Sequence, residues 1–516
     1  MLSFPNHNQI QNACLQTWKA LGISVGSPFN QEETSVFLKF LLLEGLEYGE
    51  VRAWRVRKQS DTSVALRRRL EALLTDAQHA IRIGEGLKVL TGIPWDAVNR
   101  ILSVSLYYRQ RLIDVAMEAV LSEPLAPELC IKFDSTIQHD LSAILPGARN
   151  HAVLFASPVF FTNEFYPLAV DAYVHDSENY GNQQTNVLGV HTDWLTTDGK
   201  LTRILYLDFD KGRLVETDVE LPIVPDSVNF LCLGRQEQEK HQAISERINC
   251  LQVNPSKVSM LADDKAETLA EWSALGLEVP AYQEISPGNL AKAFHFLDSF
   301  EEIVVKPNGA TEGELVAFFQ RSHPQARIAL QHHLERCWEQ GKAIAQQRRD
   351  GVLFRDPVSG KCHSLALRFN LTTNRVGGHR LESGYAQLGQ DEQSPAACGQ
   401  GGRIIPVDMA LSSLSCGPAF GNQPFRLDPN DWSRIREQTE RAASLFMGLM
   451  LIGLDVLLDH DLHGKIRPVF LEANPRPAGL SHSRLLVDDP MQPAINGVSL
   501  DLWGCLDSSR QGIGLV

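Results

Sequence analysis

Two short apolar segments in the last quarter of the chain, each interrupted by acidic or amide side chains, most constrain its fold. Residues 453–459 and 469–476 have the pattern of β-strands, and the polar residues between them are typical of a hairpin turn. Pairing would bring Asp455 close to Glu472 and Asn474, because side chains two positions apart on a strand share a face. Carboxylates in such apolar runs are costly unless they are paired or bound to a metal. The pattern favours an all-oxygen Mg²⁺ site, with solvated strand residues as the alternative.

Charge and composition exclude several classes of protein. The 516 residues include 48 Lys and Arg against 62 Asp and Glu, a formal net charge of −14. Because sequence-independent binding of nucleic acid depends on a basic surface, we expect no nucleic-acid partner. No apolar run approaches the ~20 residues of a membrane span, and the first residues lack the pattern of a signal peptide. The nine cysteines are scattered and never spaced Cys-x-x-Cys, which favours a cytoplasmic protein without a membrane partner.

The apolar periodicity predicts an α/β chain of several regions. Residues 1–128 have helical spacing, and residues 129–255 have the strand signals of a small α/β domain, including an aromatic strand at residues 160–161. Residues 256–500 alternate helices and strands, and residues 501–516 are expected to form a C-terminal tail. The chain therefore has a helical N-terminal region, a small domain and a larger α/β domain that contains the hairpin.

A second chemical feature is a lysine at the end of an apolar strand. Lys306 closes the strand of residues 303–307 and precedes a glycine-bearing loop at residues 308–313. Such a loop lets backbone N–H groups approach phosphate oxygens, while a neighbouring ammonium compensates their charge. The loop lacks the Gly-Lys-Ser/Thr of a Walker motif. Taken alone, the segment is equally compatible with a surface β-turn.

The succession of these segments resembles the ATP-grasp superfamily over roughly residues 256–485. The segments that carry the resemblance are Asp264-Lys265 at a helix start, the strand ending at Lys306-Pro307 with its glycine loop, residues 343–351, and the hairpin with Asp455, Glu472, Asn474 and Arg476. The resemblance implies an ATP-grasp fold for residues 256–500, preceded by a small α/β domain and a helical N-terminal region.

The resemblance also implies roles for individual residues. The family's contacts with ATP correspond here to Lys265, Lys306, Gly309, Gly313, Gln346 and Gln347, of which the two glutamines occupy the adenine hinge. Its metal ligands correspond to Asp455, Glu472 and Asn474, which implies ATP with Mg²⁺, or with Mn²⁺ in its place. Two arginines are expected to face the transferring phosphate: Arg368 and Arg476. The alternative for Arg368 is a strand arginine whose stem is buried and whose charge reaches water.

Substrate-binding positions are implied by two further segments. The glycine pair that closes over the site corresponds to Gly401 and Gly402, followed by Arg403, and the region beyond the metal strand contains Ser481, His482 and Arg484. A helix N-cap is the alternative for Ser481. Residues 383–387 lack an arginine that the family often has there, and Arg380 or Arg403 would replace it. Gln347 stands where the family frequently has an acidic residue. The composition of residues 390–403 predicts a mobile lid.

The activity implied by the resemblance is ATP-dependent ligation of a carboxylate to an amine. The expected intermediate is an acylphosphate and the products are ADP and phosphate. We expect a small carboxylic acid and an amine or amino acid as substrates, in amino-acid, peptide or specialised metabolite biosynthesis, and allow for a homodimer. Two alternatives remain, an ATP-grasp kinase or carboxylase and a non-catalytic nucleotide-binding protein.

Overall fold

The computed structural model describes residues 132–510 with short gaps. The gaps are residues 139–140, 142–143, 156–157, 209–212, 232–237, 310–314, 350, 358, 374–376, 397–401, 419–420, 461–464, 478, 481–482, 487–494 and 497–500. The helical region predicted for residues 1–128 lies outside the described residues. The chain divides into two compact units, the first made mainly of described residues up to 231 and the second mainly of residues 253–477.

The first unit contains a seven-stranded mixed sheet in the order β1-β5-β4-β3-β2-β6-β7. The strands are β1 Lys132–Gln138, β2 Arg149–Phe155, β3 Thr185–His191, β4 Leu201–Asp208, β5 Arg213–Ile223, β6 Ser227–Phe230 and β7 Leu251–Gln252. Strand β2 lies between parallel partners β3 and β6, and its apolar residues are fully buried, as is usual for a central parallel strand.

Helices accompany this sheet along the chain. They are α1 Pro158–Tyr180, a 3-10 helix Thr192–Trp194 and α2 Gln238–Arg247, and residues 238–245 of α2 belong to the second unit. Phe160 and Phe161, predicted to form a strand, lie instead in α1, so that prediction was wrong. Two adjacent aromatic residues have no period of their own, and a proline at the first position is favourable for a helix start.

The second unit contains a small antiparallel sheet in the order β10-β9-β11-β8. Its strands are β8 Tyr282–Ile285, β9 Glu302–Pro307, β10 Ala317–Gln320 and β11 Ala343–Gln347, and the helices of this region are α3 Ser256–Asp263, α4 Lys265–Ala274, α5 Leu290–Ser299 and α6 Ala326–Trp338. One face of the sheet, with Val305 and Ala345, shares a core with apolar residues of α5 and α6. Because strand side chains alternate, Lys306 and Gln346 lie on the opposite face.

A larger sheet of ten strands completes the second unit. The strands are β12 Val352–Arg355, β13 Cys362–Thr373, β14 His379–Leu388, β15 Arg403–Pro406, β16 Leu414–Cys416, β17 Pro424–Phe425, β18 Leu451–His460, β19 Ile466–Asn474, β20 Arg484–Leu485 and β21 Ile495–Asn496. Its helical elements are α7 Val407–Ser412, α8 Pro429–Ala443, a 3-10 helix Ser444–Phe446 and α9 Asp501–Arg510. Strand β13 lies between β14 and β18, and β19 pairs with β18. Trp272 of α4 and Trp432 of α8 are buried in one core with Phe369 and Phe470 of this sheet.

These elements confirm the mixed α/β class predicted from the sequence. Residues 501–510, assigned to a tail, form helix α9, in which Leu502, Trp503, Cys505 and Leu506 are buried. No helix among the described residues is long and apolar enough to cross a membrane.

Candidate active site

The hairpin predicted from the sequence is formed by β18 and β19. In its register Asp455 is opposite Glu472, and Gly453 is opposite Asn474. The pairing shifts by one residue after Asp455, a β-bulge of the kind that re-aims side chains beside functional sites. Because directly opposite residues on paired strands have Cβ atoms about 5 Å apart, the two carboxyl groups are neighbours. The predicted meeting of these acidic side chains is therefore confirmed.

Two lysines from distant segments reach the same carboxylate. Lys306, at the end of β9, places its Nζ 2.8 Å from Oε2 of Glu472. Lys265, the first residue of α4, places its Nζ 3.8 Å from the same oxygen. Both lysines are more than nine-tenths buried. Their predicted convergence is confirmed, and these contacts join the small sheet to the β18–β19 hairpin.

Asn308 holds the two lysine-bearing segments together. Its Oδ1 accepts a hydrogen bond of 3.0 Å from the backbone N–H of Ala266, and its Nδ2 donates to Oδ1 of Asp264 at 2.9 Å. Asp264 is itself the N-cap of α4 and accepts from the N–H of Glu267. Asn308 therefore fixes the loop after β9 to the start of α4. This role could not be predicted from the sequence, since Asn followed by Gly is also an ordinary turn signal.

Arg368 of β13 faces the acidic pair from the neighbouring strand. It is directly opposite Asp455 in the register of β13 and β18. Its Nη2 donates to Oδ2 of Asp455 at 3.0 Å, and its Nε donates to Oδ1 of the same carboxylate. The ring of Tyr385 lies 5.8 Å from the guanidinium carbon. The arginine is thus held in a buried bidentate ion pair.

Burial and charge together shift the pKa values of this cluster. Burial raises the pKa of Asp455, although Arg368 opposes the shift. Burial acts in the same sense on Glu472, but Lys306 and Lys265 outweigh it and hold the pKa of Glu472 well below its usual range. Burial lowers the pKa of Lys265, against the attraction of Glu472. Three basic side chains therefore surround two carboxylates, an excess of positive charge that suits a polyanionic ligand.

The donor set of the hairpin fits Mg²⁺. Asp455, Glu472 and Asn474 offer carboxylate and amide oxygens, the ligands that a small hard cation prefers. Nδ2 of Asn474 is buried without a hydrogen-bond partner in the described part of the chain, so this amide is not committed to another contact. Among the described residues, no group of three or more His, Cys, Asp and Glu side chains could hold a metal, so the amide oxygen is needed to complete the set.

Gly453 is a further residue of this site that the sequence analysis did not single out. A Cβ atom at this position would lie 3.0 Å from Cδ of Arg368 and 3.0 Å from Cβ of Pro477. Both contacts are tighter than side chains normally adopt. The glycine therefore makes room for the stem of Arg368 beside the acidic pair.

The two glutamines predicted at the adenine hinge lie on different faces of β11. Gln346 is buried on the face that carries Lys306, and its Nε2 has no hydrogen-bond partner within the described residues. Gln347 alternates to the face that shares the core with α5 and α6, and its backbone N–H donates to the carbonyl of Ala281 at 2.7 Å. Only the side chain of Gln346 is oriented toward the face with the lysine.

Arg476 is held by an acidic residue at the end of α3. Its Nη2 lies 2.7 Å from both carboxylate oxygens of Asp263. Nearby, burial and the charge of Arg476 lower the pKa of His241 to about 3. The observed ion pair attaches the segment after β19 to α3, and a direct role for Arg476 at the phosphate stays a prediction.

Of the six expected substrate residues, the structure describes three, which lie in or beside two different strands. Arg403 begins β15 and pairs with Asp356 at 3.2 Å, so it is not brought to the Arg368 cluster. Gly402 is buried just before β15, and Arg484 pairs in β20 with Gly384. Gly309 lies in the turn after β9. Outside the described residues are Gly313, Gly401, Ser481 and His482.

The first part of the predicted lid is hydrogen-bonded to its surroundings. The N–H of Ser364 donates to the carbonyl of Asp391 at 3.1 Å, and Nη1 of Arg348 lies 3.0 Å from Oε1 of Gln393. Residues 397–401 of the lid lie outside the described residues. The mobility of the segment stays a prediction.

Comparisons with known proteins give only distant likenesses. No protein-family model and no curated protein matches the sequence. Among solved structures, the VanG D-Ala:D-Ser ligase of Enterococcus faecalis is 16% identical, with 69% of this chain and 99% of that chain covered and a TM-score of 0.43. A D-alanyl-alanine synthetase A of Vibrio cholerae is 12% identical, with 70% and 99% covered and a TM-score of 0.42.

A third solved structure is the D-alanine–D-alanine ligase of Bacillus anthracis complexed with ATP. It is 12% identical, with 64% of this chain and 87% of that chain covered and a TM-score of 0.37. At such values these likenesses carry no weight of their own. What the structure itself shows is that Lys306 of the small sheet reaches Glu472 of the large sheet.

Proposed function

We propose that this protein is an ATP-dependent ligase that joins a carboxylate to an amine through an acylphosphate, with ADP and phosphate as products. The observation that carries the proposal is the convergence of Lys265, Lys306 and Arg368 on Asp455 and Glu472. Three buried cations around two carboxylates would offset the charge of terminal phosphates in a place where water screens little.

Each residue of the cluster has a separate role in the proposed reaction. Lys265 and Lys306 bind phosphate oxygens, and Arg368 stabilises the charge that develops on the phosphoryl group as the carboxylate oxygen attacks it in line. When bound at Asp455, Glu472 and Asn474, Mg²⁺ would neutralise further phosphate charge. Each cation must leave its carboxylate partner for phosphate, so the present ion pairs keep the site ordered before the nucleotide arrives.

Product analysis tests the proposal. The purified protein is incubated with Mg²⁺, ATP and a panel of amino acids and small carboxylic acids, and nucleotide products are separated. We expect ADP and phosphate in amounts that depend on one acid and one amine. In the presence of the acid and hydroxylamine, the acylphosphate should be trapped as a hydroxamate.

The alternatives give different products. AMP and pyrophosphate as stoichiometric products would show adenylation and contradict the proposal. A stable phosphorylated product without release of phosphate would indicate a kinase, and a requirement for bicarbonate would indicate a carboxylase. Nucleotide binding without turnover on any panel would indicate a non-catalytic nucleotide-binding protein.

A further inference from the structure

A buried amide lies one step along the sheet from the candidate reaction centre. Asn370 follows Arg368 by two residues on β13, so both side chains lie on one face, about 7 Å apart along the strand. Asn370 is opposite Gly453 of β18 and opposite Ser383 of β14. The next row of the same face contains Asp455 beside Arg368. Asn370 therefore adjoins the cluster without belonging to it.

The nitrogen of the Asn370 amide is hydrogen-bonded, and its oxygen has no hydrogen-bond partner among the described residues. Its Nδ2 donates to Oγ of Ser483 at 2.7 Å and to Oγ of Ser383 at 3.3 Å. Its Oδ1 is buried and has no hydrogen-bond partner among the described residues. The reverse placement of the amide would leave two N–H donors unused, so the carbonyl oxygen is the group that remains. A buried acceptor without a partner destabilises the protein, and a ligand donor would remove that cost.

The side chains around this oxygen indicate which kind of ligand could bind to it. A Cβ on Gly453 would lie 3.4 Å from Oδ1 of Asn370 and 3.0 Å from both Cδ of Arg368 and Cβ of Pro477, so the oxygen and the arginine stem lie over the same glycine. A ligand at this oxygen needs the room that the stem leaves when Arg368 turns from Asp455 to phosphate. The arginine would repel an ammonium placed there. A neutral amine, in contrast, has N–H groups to donate and a lone pair for attack.

We propose that Asn370 binds the amine substrate of the proposed ligase, with Oδ1 accepting one N–H of the neutral amine. The inference depends on the proposed function and assigns the acceptor end of the same site. The amine nitrogen attacks the acyl carbon, a C–N bond forms, and the bond from that carbon to the phosphate oxygen breaks. The electron pair leaves with phosphate, which also takes the proton that the nitrogen loses. Asn370 orients the nucleophile and removes no proton, because a carboxamide is a very weak base.

Asn370→Leu tests this assignment, because leucine has a similar size and no acceptor. With the acid and amine found by the product screen, we expect the KM for the amine to rise about tenfold, since a lost hydrogen bond of about 1.4 kcal/mol corresponds to that factor. The KM values for ATP and for the acid should change less than twofold. The ratio of amine ligation to hydroxamate trapped by excess hydroxylamine should fall by the same factor of about ten.

Thr372→Val is the matched control, because Thr372 is a buried polar residue farther along β13. It should change stability without a selective effect on the amine. A selective rise in the KM for the acid, or equal changes for all three substrates, would overturn the assignment while leaving the ligase intact. Absence of ADP formation in the wild-type screen would instead remove the proposed function, and the inference with it.

Discussion

The β18–β19 hairpin carries two charged clusters that differ in their balance. Near its open end, Asp455 and Glu472 meet Lys265, Lys306 and Arg368. Four residues farther along β18, Asp459 is opposite Arg467 and begins the second cluster. Both clusters join the hairpin to segments far away in the sequence, so position alone does not distinguish them.

The second cluster pairs two arginines with two carboxylates. Nε of Arg349 lies 2.7 Å from Oδ2 of Asp459, and its Nη1 lies 3.0 Å from Oε1 of Glu278. Nη1 of Arg467 lies 3.0 Å from the other oxygen of Glu278. The charges are equal in number, and their geometry is that of a fixed connection between segments.

The two clusters differ in whether their charges are available to a ligand. A network with equal numbers of positive and negative groups has no excess charge to attract a ligand. Its ion pairs hold the connected segments in place. The first cluster has one more cation than carboxylates, adjoins a bulge, and lies beside amides with unused polar atoms. We infer that the first cluster serves a ligand and the second holds the hairpin in place.

Among the substitutions in the two clusters, Lys306→Ala should reduce activity the most. Removal of the ammonium leaves phosphate charge uncompensated, so we expect ADP formation to fall about 10³-fold while the protein remains folded. Lys342→Ala is the control, since Lys342 is an exposed lysine paired with Glu284 at 2.8 Å. Steady-state kinetics on both variants measures the effect. Similar losses in the two variants would contradict the assignment of the phosphate contact.

Arg349→Met should lower stability without affecting ATP binding, the opposite of the effect expected for Lys306→Ala. The variant leaves Asp459 and Glu278 without their shared partner, and loss of one member of this half-buried ion pair should cost about 1–2 kcal/mol, less than for a fully buried pair. We expect a lower free energy of unfolding and an unchanged KM for ATP. Chemical denaturation monitored by circular dichroism is the measurement, with the exposed Arg327→Met as control. A stable variant with weaker ATP binding would reverse the proposed division between the clusters.

Two glycines provide a finer comparison. A Cβ on Gly351 would lie 1.7 Å from Oδ1 and 3.0 Å from Cα of Asp459, whereas a Cβ on Gly453 would lie 3.0 Å from both Cδ of Arg368 and Cβ of Pro477. Gly351→Ala should therefore lower the melting temperature by several degrees. Gly453→Ala should displace Arg368 and reduce turnover about tenfold with a smaller change in melting temperature. Equal melting temperatures together with equal turnover would show that neither contact matters.

The smallest expected effect concerns pH. Burial, and then the charge of Arg476, lower the pKa of His241 to about 3. The unfolded chain takes up this proton below its ordinary value of 6.5, while the folded protein does not, so stability falls as pH decreases from 6.5 toward 3. The slope is about 1.4 kcal/mol per pH unit for one proton. Relative to wild type, His241→Gln should gain melting temperature as pH falls from 6.5 to 5, whereas the exposed His295→Gln should not. Parallel curves for all three proteins would contradict the neutral state of His241.

Some of this site was predictable because its signals are local. Lys306 ends an apolar strand, and Asp455 and Glu472 interrupt apolar strands joined by a turn, so each stands out in a short window. Lys265 was placed by the order of segments in the family resemblance. The structure confirms that these four side chains meet.

Other parts depend on contacts that no short window contains. Asn308 matters because it touches the start of α4, and Gly453 because Arg368 approaches it from a strand that is distant in sequence. Asn370 has an unused acceptor only once its amide is fixed by Ser383 and Ser483. Such roles arise from tertiary packing, which also overrode the strand predicted at residues 160–161.

Direct titration of nucleotide tests whether the first cluster binds Mg²⁺ together with nucleotide phosphates. A fluorescent ADP analogue is titrated into wild type and Lys306→Ala, with Mg²⁺ and with excess EDTA. We expect saturable binding by wild type that weakens at least tenfold without Mg²⁺, and binding by the variant that is weaker by at least the same factor. Binding of equal strength in all four titrations, or no binding by wild type at millimolar nucleotide with Mg²⁺, would contradict the account.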